Sequence, residues 1–463
     1  MGLTSILRGF AAMLFIIGAA MAAPFLVAVS GGEDSADAYL FSMALCLLSG
    51  AAAMAASVGR APPSDFRGAL LIILLWWTVA PLFAAAPFAM SGAPFADAYF
   101  EAVAALTTTG GWLSREGALA SPAGTVWRAL LQWLGGLASI AIAAAIFIRP
   151  AFIGIDTLLP PFPRGEKASF LRPLRNAASS FFLVYAFLTA VAFTALVAAG
   201  ASAFDAAVMG MSIVASGGFV PHAEGLAGYE APVLYALTPF LILSGANFVL
   251  IARLMGDRRE RVRDVENASY VMILIGVTVL FWVAAGAGDM GLLIPQFFNA
   301  ASFMSTNGVA VGEPPPIIAA MVTAIIGGAA VSTAGGFKIL RWLVIMRRAR
   351  EEIRRLVTPS GVFGQARVGN ELGVWIHFIV FTMTLAALVV SLSIGGYEFS
   401  LAAAAAVAAL SNTGPLIYLA EGGAGGYAVF DEPLRWLLVA GMILGRLEAA
   451  VALALFNRAF WRT

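Results

Sequence analysis

The stretch FADAYFEAVAALTTTGGW, residues 95–112, joins an apolar run to three threonines and two glycines. The apolar part is too short to cross a bilayer, which takes about 20 residues. Polar residues and glycine are poor material for a membrane helix. The stretch is therefore either a turn between two spans or a piece of backbone that the membrane interior has to accommodate.

The surrounding chain makes this a membrane question. Of 463 residues, 61% are hydrophobic and 11% are charged. Apolar runs predict ten spans, at 6–29, 37–59, 68–90, 125–148, 177–200, 230–253, 268–288, 315–346, 371–395 and 434–457. The first is longer than a signal-peptide core and is read as a retained span. A single cysteine, Cys46, excludes a disulfide framework and a cysteine metal cluster, and two histidines leave little for a histidine metal site. A net charge of +1 gives no nucleic-acid signature.

Basic residues set the orientation. Arginine collects in 149–175, 253–263 and 347–367, in the link holding Arg60 and Arg67, and at Arg458 and Arg462. The alternate loops carry Glu33, Asp34, Glu116, Glu224, Glu230, Glu313, Asp431 and Glu432, with Arg115, Arg128 and Arg435 as the basic residues placed there. Both termini are expected in the cytoplasm.

The pattern of residues 95–112 returns three times: AFDAAVMGMSIVASGGF (203–219), PQFFNAASFMSTNGV (295–309) and FSLAAAAAVAALSNTGP (399–415). Each follows one span and precedes another. Each begins near a residue type that caps helices, Asp97, Asp205, Asn299 or Ser400. Each ends in a small polar cluster whose glycine is Gly110, Gly218, Gly308 or Gly414. One such cluster is readily a surface turn or a helix-packing seam. Four in register predict parallel units around a pseudo-fourfold axis, with the negative ends of short helices aimed at a common point. Carbonyls there could replace the hydration shell of a cation. The expected fold is an all-α polytopic membrane protein, divided as two N-terminal spans (1–60) and pore repeats at 61–150, 151–262, 263–358 and 359–463.

On these clusters, and on WRALLQWLGG (127–136), GGFVPH (217–222), SGANF (244–248), STAGGFKILR (332–341), SNTGP (411–415) and LGRLE (444–448), the chain resembles the TrkH family of bacterial potassium-uptake proteins. The resemblance covers nearly the whole chain. It implies a potassium-translocating subunit of the inner membrane, embedded in the lipid bilayer as a homodimer. It also implies control by a cytosolic TrkA-like nucleotide-binding ring. The K+ filter it implies uses Thr107, Thr108, Thr109 and Gly110; Ala215, Ser216, Gly217 and Gly218; Ser305, Thr306, Asn307 and Gly308; and Ser411, Asn412, Thr413 and Gly414. Glycine at the fourth place of every cluster goes with potassium preference in the wider superfamily. Gly111 and Trp112 depart from the pattern in bulk, and the indole is expected at the outer mouth. Pro415 fits relatives that read Gly-Pro.

The span at 315–346 is too long and too interrupted for one helix. Gly327, Gly328, Gly335 and Gly336 weaken it, and Ser332 and Thr333 can serve freed backbone groups. A loop near the axis is expected, with a kinked helix as the alternative; in the family this segment obstructs the cytoplasmic side of the pore. Two charges adjoin it, Lys338 and Arg446. Both are expected to face the pore cavity, Arg446 as part of the closed barrier and as a donor to loop carbonyls. The alternatives are a buried ion pair for Arg446 and snorkelling to the interface for Lys338.

A channel-like K+ path is the preferred function. The alternative is a symporter coupling K+ to H+ or Na+, for which Glu448 is the one carboxylate deep in an expected span. No paired aspartates, HExxH or serine–histidine arrangement marks the spans as an enzyme, and no bound cofactor is expected beyond the transported K+.

Overall fold

The computed structural model describes residues 3–58, 66–113, 120–147, 171–222, 225–255, 264–286, 289–357 and 372–447. Arg60, Arg115, Glu116, Glu224, Glu448, Arg458, Arg462 and the arginine-rich stretches at 149–170, 256–263 and 358–367 lie outside the described residues. The described chain is helical. α1 (Leu3–Ala20) and α2 (Ala22–Gly31) run as one apolar stretch that stops at Gly32, where φ is 65°. Glycine takes that left-handed turn without steric cost. α3 (Ala36–Ala55) returns against α1, and α4 (Phe66–Thr78) with α5 (Ala80–Met90) completes the approach to residues 95–112.

Short and long helices then alternate. α6 (Phe95–Leu106) precedes α7 (Pro122–Phe147). α8 (Leu171–Ala198) and α9 (Ala203–Val214) precede α10 (Ala231–Gly245) and α11 (Phe248–Met255). α12 (Val265–Gly286) and α13 (Leu293–Met304) precede α14 (Ile317–Ile326) and α15 (Ile339–Val357). α16 (Leu372–Ile394) and α17 (Phe399–Leu410) precede α18 (Glu432–Leu447).

Seven helical stretches among the described residues are long and apolar enough to cross a membrane, and α10 with α11, bent by 108°, would make an eighth. The expected span at 230–253 is thus bent between Gly245 and Phe248. The one at 315–346 is interrupted between Ile326 and Ile339, and the described part of the last ends at Leu447. Large apolar side chains point outward from the long helices: Leu183 is 72% exposed and Met272 69%. Such faces are costly in water and suited to hydrocarbon.

α6, α9, α13 and α17 have 12 residues each. At 1.5 Å per residue that is about 18 Å, well short of a hydrocarbon core. Each packs against the helices before and after it. The helix that follows each of them also packs on the next short one: α7 on α9, α10 on α13, α14 on α17, and α18 back on α6. The chain therefore closes on itself. Seven of the 12 residues of α17 are alanine, and it is buried from Leu401 to Leu410. Small side chains let its neighbours approach closely on every side.

The helix starts differ from expectation. The N-caps are Pro94, Ser202, Leu292 and Glu398, and among them only Ser202 caps with its side chain, accepting from Asp205 N. Asp97 and Asp205 fall in the first turn instead. Asn299 is buried mid-helix; its Oδ1 accepts from Val311 N at 2.8 Å and its Nδ2 donates to Val311 O at 3.1 Å. It fastens the segment that follows Gly308 rather than the start of α13. Arg128 and Arg435 are also not loop residues. Arg128, on α7, pairs with buried Glu101 at 2.7 Å, and Arg435, on α18, pairs with Asp97 at 2.7 Å. Both ion pairs join a short helix to a long one.

Candidate functional site: a ring of four helix ends

Each short helix ends the same way. The C-cap is Thr107, Ala215, Ser305 or Ser411. The next residue turns left-handed: φ is 51° at Thr108, 58° at Ser216, 60° at Thr306 and 54° at Asn412. The third residue then donates back into its own helix, Thr109 to Ala104, Gly217 to Ser212, Asn307 to Ser302 and Thr413 to Ala408. This is a Schellman-type cap, which usually has glycine at the left-handed place. Threonine there is a steric outlier, with a cost of order 1–3 kcal/mol. The fourth residue is left-handed again at Gly110, Gly218 and Gly308, with φ of 71°, 66° and 73°. Gly414 instead opens a 3-10 turn, Gly414–Leu419, with Pro415 in its second position.

The glycines are where adjacent clusters touch. A Cβ on Gly110 would lie 1.7 Å from Gly217 O, and one on Gly218 would lie 1.8 Å from Asn307 O. One on Gly308 would meet Thr413 Cγ2 at 2.8 Å, and one on Gly414 would meet Thr109 O at 2.4 Å. The contacts run from the first cluster to the second, third and fourth, then back to the first. Hydrogen bonds reinforce three seams. Gln132 Nε2 donates to Gly217 O (3.3 Å), Gly218 N to Asn307 Oδ1 (3.1 Å), and Gly414 N to Thr109 O (2.5 Å). Every side chain of the clusters is fully buried, and none is charged. The inventory is hydroxyls, amides and carbonyls at four helix C-termini, an environment that favours a cation.

The residues between α14 and α15 pack against this ring. Gly327 and Gly336 have φ of 70° and 74°, and Lys338 has 78°. These angles break the helix, as its glycines foretell. Thr333 Oγ1 lies 2.7 Å from Ser216 Oγ and donates to Val214 O and Ser244 O. Gly335 N donates to Thr306 Oγ1 at 2.7 Å, and Gly336 N to Ser411 O at 3.1 Å. A Cβ on Gly335 would stand 2.0 Å from Ser411 O, so the loop lies directly on the fourth cluster.

Arg446 completes the contact with the first cluster. Its Nε donates to Thr107 O (2.7 Å), its Nη1 to Thr333 O (2.9 Å) and Ala334 O (3.4 Å), and its Nη2 to Thr108 Oγ1. One guanidinium thus ties loop to ring through oxygens, using the fork geometry that arginine offers. Lys338 does not snorkel. Its side chain is 8% exposed and folds back on its own loop, with Nζ donating to Ser332 O (3.4 Å), Ser332 Oγ (3.3 Å) and Ala334 O. Gly327 and Gly328 pack on the far side of the loop, against Gly335 O and Gly245 O.

The other face of the ring opens into a cavity of about 600 Å³ lined by Gly218, Gly308 and Pro415 and walled by Trp112, Val309 and Tyr418. Trp112 is wedged between Phe219 and Tyr418, with ring centroids at 5.4 and 5.7 Å. Gly111 is the neighbour that makes room, since a Cβ there would meet Tyr427 at 2.5 Å.

Three buried polar residues escaped the sequence reading. Glu101, inside an apolar 12-residue helix, accepts from Leu113 N (2.7 Å) and Arg128 Nε (2.7 Å), which pins the chain just after Trp112. Its isolation in FADAYFEAVAAL was the available signal. Gln132 lies in WRALLQWLGG with nothing to separate it from a packing residue. Glu266 opens α12 among polar residues and reads as an ordinary helix start.

The family described as "TrkH: Cation transport protein" matches residues 40–283. Among curated proteins, the chain is 30% identical over 421 residues to the Trk system potassium uptake protein TrkH of Salmonella typhimurium, covering 86% of each. It is 30% identical over 482 residues to the Trk system potassium uptake protein TrkI of Halomonas elongata, covering 99% of this chain and 96% of the relative. Among solved structures, the potassium transporter TrkH from Vibrio parahaemolyticus superposes with a TM-score of 0.85 at 25% identity, over 100% of both chains. With its closed circuit of helices and its relatives aligned over most of their length, the chain belongs to the TrkH family of cation transport proteins.

Proposed function

We propose that this chain takes up K+ in a channel-like manner, through the ring formed by residues 107–110, 215–218, 305–308 and 411–414. Ions enter from the outer cavity, exchange water for ring oxygens, and move down the membrane potential when residues 327–338 withdraw. The observation that carries the reading is the circuit of matched helix ends, each left-handed at its second residue and each touching the next. A strained conformation repeated at equivalent positions is retained for function rather than for stability.

In this reading Arg446 and the loop form the closed barrier, with Gly327, Gly328, Ser332, Thr333, Gly335, Gly336 and Lys338 shaping it. The pore units are 61–150, 151–262, 263–358 and 359–463, after the two-span segment 1–60. The setting is the bacterial inner membrane with both termini cytoplasmic, as a homodimer under a cytosolic TrkA-like ring. Those last features rest on the resemblance and on the arginine distribution.

The symport alternative needs a carboxylate that gains and loses a proton as it works. Glu101 and Glu266 are buried, but both oxygens of each accept N–H donors, which commits them to structure. Current through proteoliposomes decides between the readings. The reversal potential should follow the K+ gradient alone; a shift with an imposed pH or Na+ gradient at fixed K+ would favour symport.

A further inference from the structure

The loop at 327–338 is held from behind as well as from the ring. Glu266, on α12, is 5% exposed. Its Oε1 accepts from Ala330 N at 2.6 Å and its Oε2 accepts from Asn247 Nδ2 at 2.8 Å. Ala330 belongs to the loop, and Asn247 to the bend between α10 and α11. Asn247 is itself tied down, since its Oδ1 accepts from Val249 N (3.0 Å) and its N donates to Asn267 Oδ1 (3.1 Å). Asp264 caps the start of α12 by accepting from Glu266 N and Asn267 N, both at 3.1 Å. The bend also bonds the loop through its backbone: Ala329 N donates to Gly245 O and Phe248 N to Val331 O, each at 2.8 Å.

We infer that Glu266 is the positioning residue through which the start of α12 and the bend between α10 and α11 set the loop. A carboxylate is the right group for this place. It offers two acceptors on one short stem, so one oxygen can hold a loop N–H while the other holds the bend. Hydrogen bonds to such a group are stronger than neutral ones and specific in direction. In the chain, α12 follows α11 through residues 256–263, which are rich in arginine. Displacing the first turn of α12 moves Asp264, Asn267 and Glu266 together and withdraws the acceptor from Ala330. The loop then keeps its bonds to the ring, to Arg446 and to the bend but loses the carboxylate that holds Ala330 N. Glu266 touches no cluster of the ring, so it sets how often the loop stands closed and leaves ion preference alone.

This inference rests on the reading of residues 327–338 as the barrier, so its test uses two readouts. The full-length protein carrying Cys46→Ser and Val331→Cys is reconstituted in liposomes, and modification of the new cysteine by a membrane-impermeant thiosulfonate is timed beside K+ flux. Val331 is 2% exposed, so modification is slow while the loop is seated. Glu266→Ala should speed it by about tenfold or more, the effect of removing a hydrogen bond to a charged group. Asn247→Ala should give a smaller increase. Glu266→Gln, which keeps an oxygen for Ala330 N, should return the rate most of the way to that of the unsubstituted chain. The K+-over-Na+ ratio should stay constant throughout. Faster modification with unchanged flux would uphold the role of Glu266 and sink the barrier reading. Unchanged modification in both alanine variants, even with lowered thermal stability, would overturn the inference. Should Glu266→Ala fail to fold, unchanged modification in Asn247→Ala overturns it equally.

Discussion

The ends of the short helices and the loop at 327–338 use the same materials, glycine with small hydroxyl residues, and both are buried. They differ in where their backbone N–H groups go. At the second and third residues of each helix end the donors return to their own helix, as when Thr108 N and Thr109 N reach Ala105 and Ala104. In the loop Gly327 N, Phe337 N and Lys338 N return to α14, at Thr323, Ile325 and Ile326, but those between go elsewhere: Ala329 N to Gly245, Ala330 N to Glu266, Gly335 N to Thr306 and Gly336 N to Ser411. Buried backbone groups must be paired in either case. A segment paired within itself stays put when its surroundings shift, whereas one paired at its middle with other elements and at its ends with its own helix can be lifted off as a unit. The ring is local structure and the middle of the loop is tertiary structure, the difference that the proposed roles of selecting and gating require.

A second contrast lies in the left-handed residues. Glycine would adopt Thr108, Ser216 and Thr306 angles more cheaply, yet each of these side chains is in use. Thr108 Oγ1 accepts from Arg446, Ser216 Oγ meets Thr333, and Thr306 Oγ1 accepts from Gly335 N. Asn412, the fourth, donates to Thr109 Oγ1 at 3.0 Å instead. The strain places three side chains where the loop is gripped.

Breaking the ring should have the largest effect. Gly110→Ser places a Cβ 1.7 Å from Gly217 O at a φ of 71°, so the main chain of two clusters must move. The expected outcome is a fall of more than about tenfold in K+-over-Na+ preference, read from bi-ionic reversal potentials, since even ~1.4 kcal/mol of lost discrimination gives that factor. Breaking the grip comes next. Arg446→Ala removes donors from Thr107 O, Thr108 Oγ1, Thr333 O and Ala334 O, and should raise basal flux by about tenfold or more with ion preference retained. A flux unchanged from that of the unsubstituted chain would remove Arg446 from the barrier. The smallest effect sharpens the contrast between strain and grip. Thr306→Gly relieves a left-handed threonine worth about 1 kcal/mol and deletes the acceptor of Gly335 N. Thermal stability in detergent should hold or rise slightly while basal flux rises several-fold; a stability loss with unchanged flux would mean that the hydroxyl serves the fold alone.

Much of this was legible in the sequence because it is periodic or punctuated. Apolar lengths mark the long helices, and TTTGG, ASGG, STNG and SNTG mark the ends of the short ones. The glycines of 327–336 announce the break in their span, and Arg446 is conspicuous in an apolar run. What was not legible depends on partners distant in sequence. Nothing local shows that Thr108 is left-handed, because threonine ordinarily avoids that region. SGANF bends where its backbone exchanges hydrogen bonds with Ala329 and Val331, which lie more than 80 positions on. Arg128 and Arg435 look like loop charges until Glu101 and Asp97 are brought opposite them. Asn299 looks like a cap until Val311 folds back onto it.

If the chain conducts K+ as proposed, a cation sits within the four clusters. Diffraction from crystals grown with Tl+ or Rb+ in place of K+ tests it most directly. Anomalous density ringed by residues 107–110, 215–218, 305–308 and 411–414 is the predicted result. Anomalous density elsewhere in the membrane region, with none inside that ring, would contradict it.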